Sequence, residues 1–206
     1  MYKHFFKRLL DIVLSFLGIV VLAIPMLIIA IIIKIDSPGP VFFKQRRIGI
    51  LKKEFKIIKF RSMPINVPHD TPTHQFKAEE MLTRWQRWER MASLDELPQL
   101  FNILAGQMSI IGPRPALWNQ FDLITERDKY GANNVKPGLT GWAQINGRDE
   151  LEIPIKAKLD GEYVQRMSFS FDCKCFFGTI KSVLKHDGVV EGGTGEINNH
   201  NSDNSK

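Results

Sequence analysis

An apolar run near the start of the chain, residues 12–33, constrains this protein more than any other feature of its sequence; only Ser15, Gly18 and Pro25 interrupt it. A helix of roughly 20 such residues reaches about 30 Å, the depth of a bilayer's hydrocarbon core. A cleaved signal peptide is the other common use of such a run. This one is long for a signal core, and no small-residue cleavage site precedes the basic stretch that follows, so a retained membrane helix is expected. Basic residues flank the run on both sides: Lys3, Lys7 and Arg8 before it, Lys34, Lys44, Arg46 and Arg47 after it. Such residues are held on the cytoplasmic face, and one straight crossing cannot satisfy both flanks. Pro25 removes a helix hydrogen bond mid-run and bends the chain. Two arrangements stay open: a re-entrant helix-break-helix that enters and leaves by one face, and a kinked single span. In both, the larger C-terminal part is expected in the cytoplasm.

Beyond the run the chain changes character. Asp36-Ser37-Pro38-Gly39-Pro40 is a rigid turn. Two β-rich stretches, 41–48 and 54–61, surround Gly49-Ile50-Leu51-Lys52-Lys53 and predict a basic hairpin. Residues 64–73 are polar and proline-rich, hence a loop. The spacing of Ala78, Met81, Leu82, Trp85, Trp88 and Ala92 predicts a helix over 77–92. With Arg84, Arg87 and Arg90 between its tryptophans, it is either a surface helix on a core or an interfacial helix with Trp at headgroup level. A second helix is expected over 95–105, stopped by Gly106, and a long helical stretch over 151–185 with breaks near Pro154 and Gly161. Residues 188–206, rich in Gly, Asn and Ser, read as a flexible tail. The division is therefore a membrane-anchoring element 1–36, a folded domain 37–187 and the tail. The class is α+β, mostly helical, with a small β-hairpin.

The 206 residues carry a formal net charge of +6, which favours anionic partners: nucleic acid, anionic lipid or a phosphorylated substrate. No nucleic-acid reader motif is present, and the basic groups cluster beside the membrane element, so nucleic acid is excluded as a partner. Cys173 and Cys175 are too close for an ordinary structural disulfide and have no zinc-completing neighbours; they read as reduced thiols on a packed helix.

Three blocks carry the chemistry. In Ser93-Leu94-Asp95-Glu96-Leu97-Pro98-Gln99-Leu100, Ser93 and Glu96 have capping-box spacing, and Pro98 is cheapest in a first helical turn. A helix starting near Asp95 would put Asp95 and Glu96 at the positive end of its dipole, ionised as a nucleophile or magnesium ligand must be. A cap without catalysis fits the same residues. In Gly112-Pro113-Arg114-Pro115, two prolines fix the backbone around one arginine, which suits a phosphate grip or a plain turn. In the block 136–148, which holds Gln144 and ends in Arg148, three glycines allow close approach of backbone to ligand. Carboxylates for a cation, Arg and Lys for phosphates and a membrane anchor together equip a chain for phosphoryl transfer at a bilayer surface. A non-catalytic membrane scaffold is the competing reading.

Four ordered motifs, Lys-Phe-Arg-Ser-Met (59–63), Ser-Leu-Asp-Glu-Leu-Pro-Gln-Leu (93–100), Met-Ser-Ile-Ile-Gly-Pro-Arg-Pro (108–115) and Lys-Pro-Gly-Leu-Thr-Gly-Trp-Ala-Gln-Ile-Asn-Gly-Arg (136–148), resemble those of the bacterial sugar transferases, the small monotopic phosphoglycosyl transferases. The resemblance runs from about Tyr2 to Gly195. It implies a re-entrant membrane helix, amphipathic interfacial helices and a catalytic domain on the cytoplasmic face of the bacterial inner membrane. It also implies a two-step, Mg2+-dependent transfer of a sugar-1-phosphate from a UDP-sugar donor to a polyprenyl (undecaprenyl) phosphate acceptor, with release of UMP, at the start of membrane glycan synthesis. Membrane lipid and downstream glycosyltransferases are the further partners implied. Asp95 matches the family's nucleophile and magnesium ligand. Glu96 matches the partner that deprotonates or orients the acceptor. Lys59, Arg90, Arg114 and Arg148 match basic positions around the phosphates, Pro113 and Pro115 match the rigid turn, and Gln144 is expected among the substrate-binding residues. Two departures stand out. Many small members carry Ser-Pro at the membrane-helix break where this chain has Ile24-Pro25. The Trp-rich segment before Asp95 also replaces a Gly-containing stretch.

Overall fold

The structure, a computed structural model, describes residues 2–64, 82–147 and 151–185. The expected loop after residue 64, the beginning of the helix expected over 77–92, Arg148 and the tail lie outside the described residues.

A short π-helical turn, Tyr2–Phe6, leads into α1, Lys7–Asp36, the apolar run of the sequence. Its 30 residues span about 45 Å, more than a bilayer core requires. Asp11, Ser15, Leu22, Met26, Ile29 and Ile33 recur at helical spacing and face the body of the protein. Val21, Ile24, Leu27, Ile28, Ile31 and Ile35 lie exposed. An apolar face of that size needs lipid to cover it, so by length, composition and exposure α1 is a membrane helix.

At Pro25, where the sequence predicts a break or a bend, the helix is uninterrupted. Helical conformation runs through Pro25 without a non-helical residue. Proline forfeits only the bond to the Val21 carbonyl, and both residues sit on the exposed side, while Leu22, Met26 and Ile29 hold the opposite face against the body on either side of it. Both ends of α1 are tied to that same body. Lys7 Nζ donates to Asp172 Oδ2 at 2.7 Å. At the far end Thr83 Oγ1 donates to Asp36 Oδ2 at 3.0 Å, and Arg61 donates to the Ser37 and Pro38 carbonyls at 2.7 and 2.6 Å.

The hairpin forms as the sequence predicts: β1, Phe42–Ile48, pairs antiparallel with β2, Glu54–Phe60. The described part of the Trp-bearing helix is α2, Arg84–Met91. Its N-terminus is a capping box: Thr83 Oγ1 accepts from the Gln86 N–H, and the Thr83 N–H donates to Gln86 Oε1. Trp85 packs on the α1 cluster, whereas Trp88 is exposed beside it, ring centroids 5.2 Å apart.

The block 93–100 departs from its expected form. Ser93 sits in the left-handed region at φ 55 and caps nothing with its side chain. Leu94–Glu96 is a single 3-10 turn, and the α-helix proper, α3, is Gln99–Leu104. A side-chain cap needs an extended backbone at the cap residue, which Ser93 lacks. Pro98 holds φ −64 directly ahead of α3, where it forfeits no helix bond.

After α3, β3 (Ser109–Ile111) pairs in parallel with β4 (Gly138–Thr140). Between them lie α4, Phe121–Asp128, and a 3-10 turn. The chain finishes with α5 (Trp142–Ile145), α6 (Ile153–Arg166) and α7 (Phe169–Lys185). The breaks expected at Pro154 and Gly161 are absent. Pro154 lies in the first turn of α6, and Gly161 sits mid-helix, where an added Cβ would run into Tyr130. The real interruption is Met167-Ser168. Cys173 and Cys175 are free thiols on α7, as expected.

Candidate active site

Three segments bring the charged residues together. β2 supplies Lys59, the 3-10 turn supplies Asp95 and Glu96, and the turn after β3 supplies Arg114. Asn102 fixes the first two relative to each other. From α3 its Oδ1 accepts from the Ile58 N–H at 2.9 Å, and its Nδ2 donates to the Lys56 carbonyl at 2.9 Å. One side chain thus mimics a strand partner on the free edge of β2. The Gly112-Pro113-Arg114-Pro115 turn is held from both sides. The Gly112 N–H donates to the Thr140 carbonyl at 2.8 Å, the Gly138 N–H to the Pro113 carbonyl at 2.8 Å, and Arg47 to the Pro115 carbonyl at 3.0 Å.

Lys59 Nζ lies 2.7 Å from Glu96 Oε1 and 3.5 Å from Asp95 Oδ2. Arg114 forks onto Glu96, Nη2 at 2.6 Å from Oε1 and Nη1 at 3.4 Å from Oε2. Glu96 is therefore engaged by two cations. Among the described residues no hydrogen bond occupies the Asp95 oxygens, and Lys59 is the only ion-pair partner. The two carboxyls respond in opposite directions. Burial pushes Asp95 up, opposed by Lys59, Arg90 and Arg114. Burial also acts upward on Glu96, but the charges and hydrogen bonds of Arg114 and Lys59 outweigh it and hold that carboxyl well below the usual range. Burial and the neighbouring Glu96 charge leave Asp95 raised, and three basic side chains, not the dipole of a long helix as the sequence suggests, act to keep it ionised.

The expected residues fall into three groups. Lys59, Asp95, Glu96 and Arg114 form one cluster, with Arg90, from the last turn of α2, near enough to act on Asp95. Pro113 and Pro115 are buried on either side of Arg114. Gln144 stands apart, on α5. Its carboxamide is buried against Gly141, and among the described residues neither its nitrogen nor its oxygen finds a hydrogen-bond partner. The glycines near it serve a different purpose from the one expected. A Cβ at Gly138 or Gly141 would collide with the Gly112 backbone, so close approach here is chain to chain, locking the Arg114 turn.

Sequence reasoning passed over Glu89. It lies on α2, fully buried, with neither oxygen hydrogen-bonded among the described residues. Burial first, then the charges of Asp95 and Asp36, push its carboxyl up to about 8, with Arg61 pulling the other way. It occupies the core side of the Trp helix, and the apolar positions expected there concealed it. Arg61 was also passed over as a separate residue: it is the cap of the membrane helix, bonding the Ser37 and Pro38 carbonyls.

Comparison with known proteins places this geometry. The family model for the bacterial sugar transferases matches residues 2–186. The uncharacterized sugar transferase EpsL of Bacillus subtilis (strain 168) is 38% identical over 185 residues, covering 90% of this chain and 90% of the relative. A UDP-glucose:undecaprenyl-phosphate glucose-1-phosphate transferase of Xanthomonas campestris pv. campestris is 41% identical over 186 residues, covering 86% of this chain but 38% of the relative. A UDP-N-acetylgalactosamine-undecaprenyl-phosphate N-acetylgalactosaminephosphotransferase of Aeromonas hydrophila is 37% identical over 186 residues, covering 87% of this chain and 44% of the relative. The chain thus spans nearly all of one relative and less than half of the other two. It belongs to the bacterial sugar transferase family and is, as a member of it, a sugar transferase enzyme.

Proposed function

We propose that this enzyme transfers a sugar-1-phosphate from a UDP-sugar to a polyprenyl phosphate in two displacements, with Asp95 as the nucleophile. The observation that carries the reading is the unequal treatment of two adjacent carboxylates. Lys59 and Arg114 occupy Glu96, while among the described residues no hydrogen bond reaches the Asp95 oxygens beside the same lysine.

In the first displacement an Asp95 carboxylate oxygen attacks the β-phosphorus of the donor. The bond from that phosphorus to the bridging oxygen breaks, and UMP leaves with the electron pair. In the second, an oxygen of the polyprenyl phosphate attacks the same phosphorus and Asp95 leaves as carboxylate. Splitting one displacement into two lowers each barrier. Lys59, Arg90 and Arg114 offset the charge that builds on the phosphoryl oxygens, preorganised in a partly dry site. Glu96, held ionised by its two partners, orients Lys59 and Arg114; a carboxyl so depressed is a poor proton acceptor, which favours the orienting role over the deprotonating one. Arg148, outside the described residues, and Gln144, set apart on α5, enter this reading as donor-site residues from the sequence motif alone.

The residues present fit a magnesium ion. Mg2+ takes one or two carboxylates together with substrate phosphates in preference to an all-protein cage. Asp95 offers hard oxygens, and no cluster of three His, Cys, Asp or Glu side chains that could hold a metal exists among the described residues. Bound at Asp95, the ion would supply further charge neutralisation for the donor diphosphate.

The basic residues on both flanks of α1, and the bonds from both of its ends to one body, fit a helix that enters and leaves by one face, bending at Pro25 without losing helical conformation, with the catalytic body on the cytoplasmic side of the inner membrane. The test is UMP release from a panel of UDP-sugars with undecaprenyl phosphate and magnesium. Wild type should consume one of them and Asp95→Asn none, with its thermal midpoint retained. Full turnover by Asp95→Asn would remove the covalent step, and no consumption by wild type would favour a scaffold.

A further inference from the structure

β3 is three residues long and feeds directly into the turn that carries Arg114. Ser109 and Ile111 are its residues paired with β4. Ile110, between them, turns its N–H to the opposite edge. There the acceptor is a membrane-helix side chain: Asp11 Oδ1 accepts from the Ile110 N–H at 3.0 Å and from Ser109 Oγ at 3.0 Å. Asp11 and Ser109 are both buried. Three positions earlier on α1, Arg8 donates to the Ile103 and Leu104 carbonyls at 2.6 and 2.8 Å. Those carbonyls close α3, whose other end follows Asp95 and Glu96. Residues three apart share a helix face. One face of α1 therefore grips both elements whose far ends meet in the 2.6 Å contact between Arg114 and Glu96. An acid in an apolar membrane helix is costly, and this one is spent on a backbone donor that would otherwise be buried without a partner.

We propose that Arg8 and Asp11 form a positioning device of the active site, through which the membrane helix sets the separation between the Asp95-Glu96 turn and Arg114. Neither side chain reaches the reacting atoms, so Asp11 is a positioning residue, and α1 does more than anchor. The inference rests on the transfer reaction proposed above for what Arg114 grips, but the clamp itself is a statement about β3.

The experiment uses the full chain in lipid nanodiscs: wild type, Asp11→Asn, Asp11→Ala, Arg114→Ala and the Asp11→Ala/Arg114→Ala double variant. Amide hydrogen exchange is followed in residues 109–114, and UMP release is measured with UDP-glucose and UDP-N-acetylgalactosamine as donors to undecaprenyl phosphate. Asp11→Ala should speed exchange there and lower kcat/KM by about ten- to a hundredfold, the scale of a small misplacement of a binding group. Asp11→Asn keeps an acceptor oxygen at the same place and should recover most of the loss. In the Arg114→Ala background, Asp11→Ala should add less than about a threefold effect, because the two act through one contact. Independent, multiplicative losses would overturn the proposal, as would unchanged exchange at 109–114 in Asp11→Ala. If Asp11→Ala fails to fold, Ser109→Ala, which removes one of the two donors, takes its place in the cycle with a smaller expected loss and the same criterion. Should wild type consume neither donor, the reading of the reaction is what fails, and the exchange measurement alone decides the clamp.

Discussion

Glu89 is buried near Asp95 with no donor for either oxygen among the described residues, while Glu96, seven positions on, has two cations. The difference has a thermodynamic sign. The folded protein holds a proton on Glu89 up to about 8, whereas the unfolded chain releases it near the ordinary carboxyl value of 4.5. Between those values the folded state binds more protons, so this residue's contribution to stability falls as pH rises and is fully unfavourable above about 8. Glu89→Leu removes the buried acid at similar volume. Its thermal midpoint in nanodiscs should exceed that of wild type, by a margin that widens from about pH 5 to about pH 9. A margin independent of pH would mean that Glu89 is not held neutral. Asp95 is also pushed up by burial, yet three basic side chains oppose the shift. Lys59, Arg90 and Arg114 thus distinguish the surroundings of Asp95 from those of Glu89, where Arg61 alone opposes the rise.

At the scale of elements, Asn102 has an influence out of proportion to its size. It joins α3 to the edge of β2 and so sets Lys59 against the acids. Asn102→Leu would leave the Ile58 N–H and Lys56 carbonyl without these partners, at a cost of about 1–3 kcal/mol. The expected result is a lower thermal midpoint together with lower turnover; a variant destabilised but fully active would show that Lys59 is placed by other contacts. The hairpin, the membrane helix and the cluster of Lys59, Asp95, Glu96 and Arg114 were legible because each rests on local pattern or on spaced motifs. The capping spacing of Ser93 is a local signal that carries no information on its left-handed backbone, and that backbone rules the cap out. The actual capping box, Thr83 with Gln86, has the same kind of local signature but lay inside a stretch taken for continuous helix. Gly138 and Gly141 were read as leaving room for ligand; only the parallel pairing of β3 with β4 reveals that the room is taken by Gly112. Asp11 sits one residue before the apolar run, and its partners are 98 and 99 positions away, beyond any local signal.

Over the whole molecule, a helix of about 45 Å lies along one side of the catalytic body and is bonded to it at both ends. That arrangement predicts that both flanks of α1 face the same aqueous compartment. Lys3→Cys and Lys34→Cys, each made in a Cys173→Ser, Cys175→Ser background and sealed in vesicles, should react with an impermeant maleimide from the same side; labelling from opposite sides would mean a true crossing. The turn that carries Asp95 is seated on this helix, since Leu94 and Leu97 pack in the α1 cluster with Met26, Ile29 and Ile33. A water-soluble nucleotide sugar and a lipid phosphate could then reach one carboxylate in turn. The central claim is that this carboxylate carries the phosphosugar between the two. Its most direct test is mass spectrometry of the full chain, quenched after mixing with its consumed UDP-sugar and magnesium in the absence of polyprenyl phosphate. The account predicts a mass increase of one sugar phosphate, mapped to the peptide containing Asp95 and lost on adding the acceptor. An active enzyme that releases UMP only when the acceptor is present, with no adduct on that peptide, would contradict it.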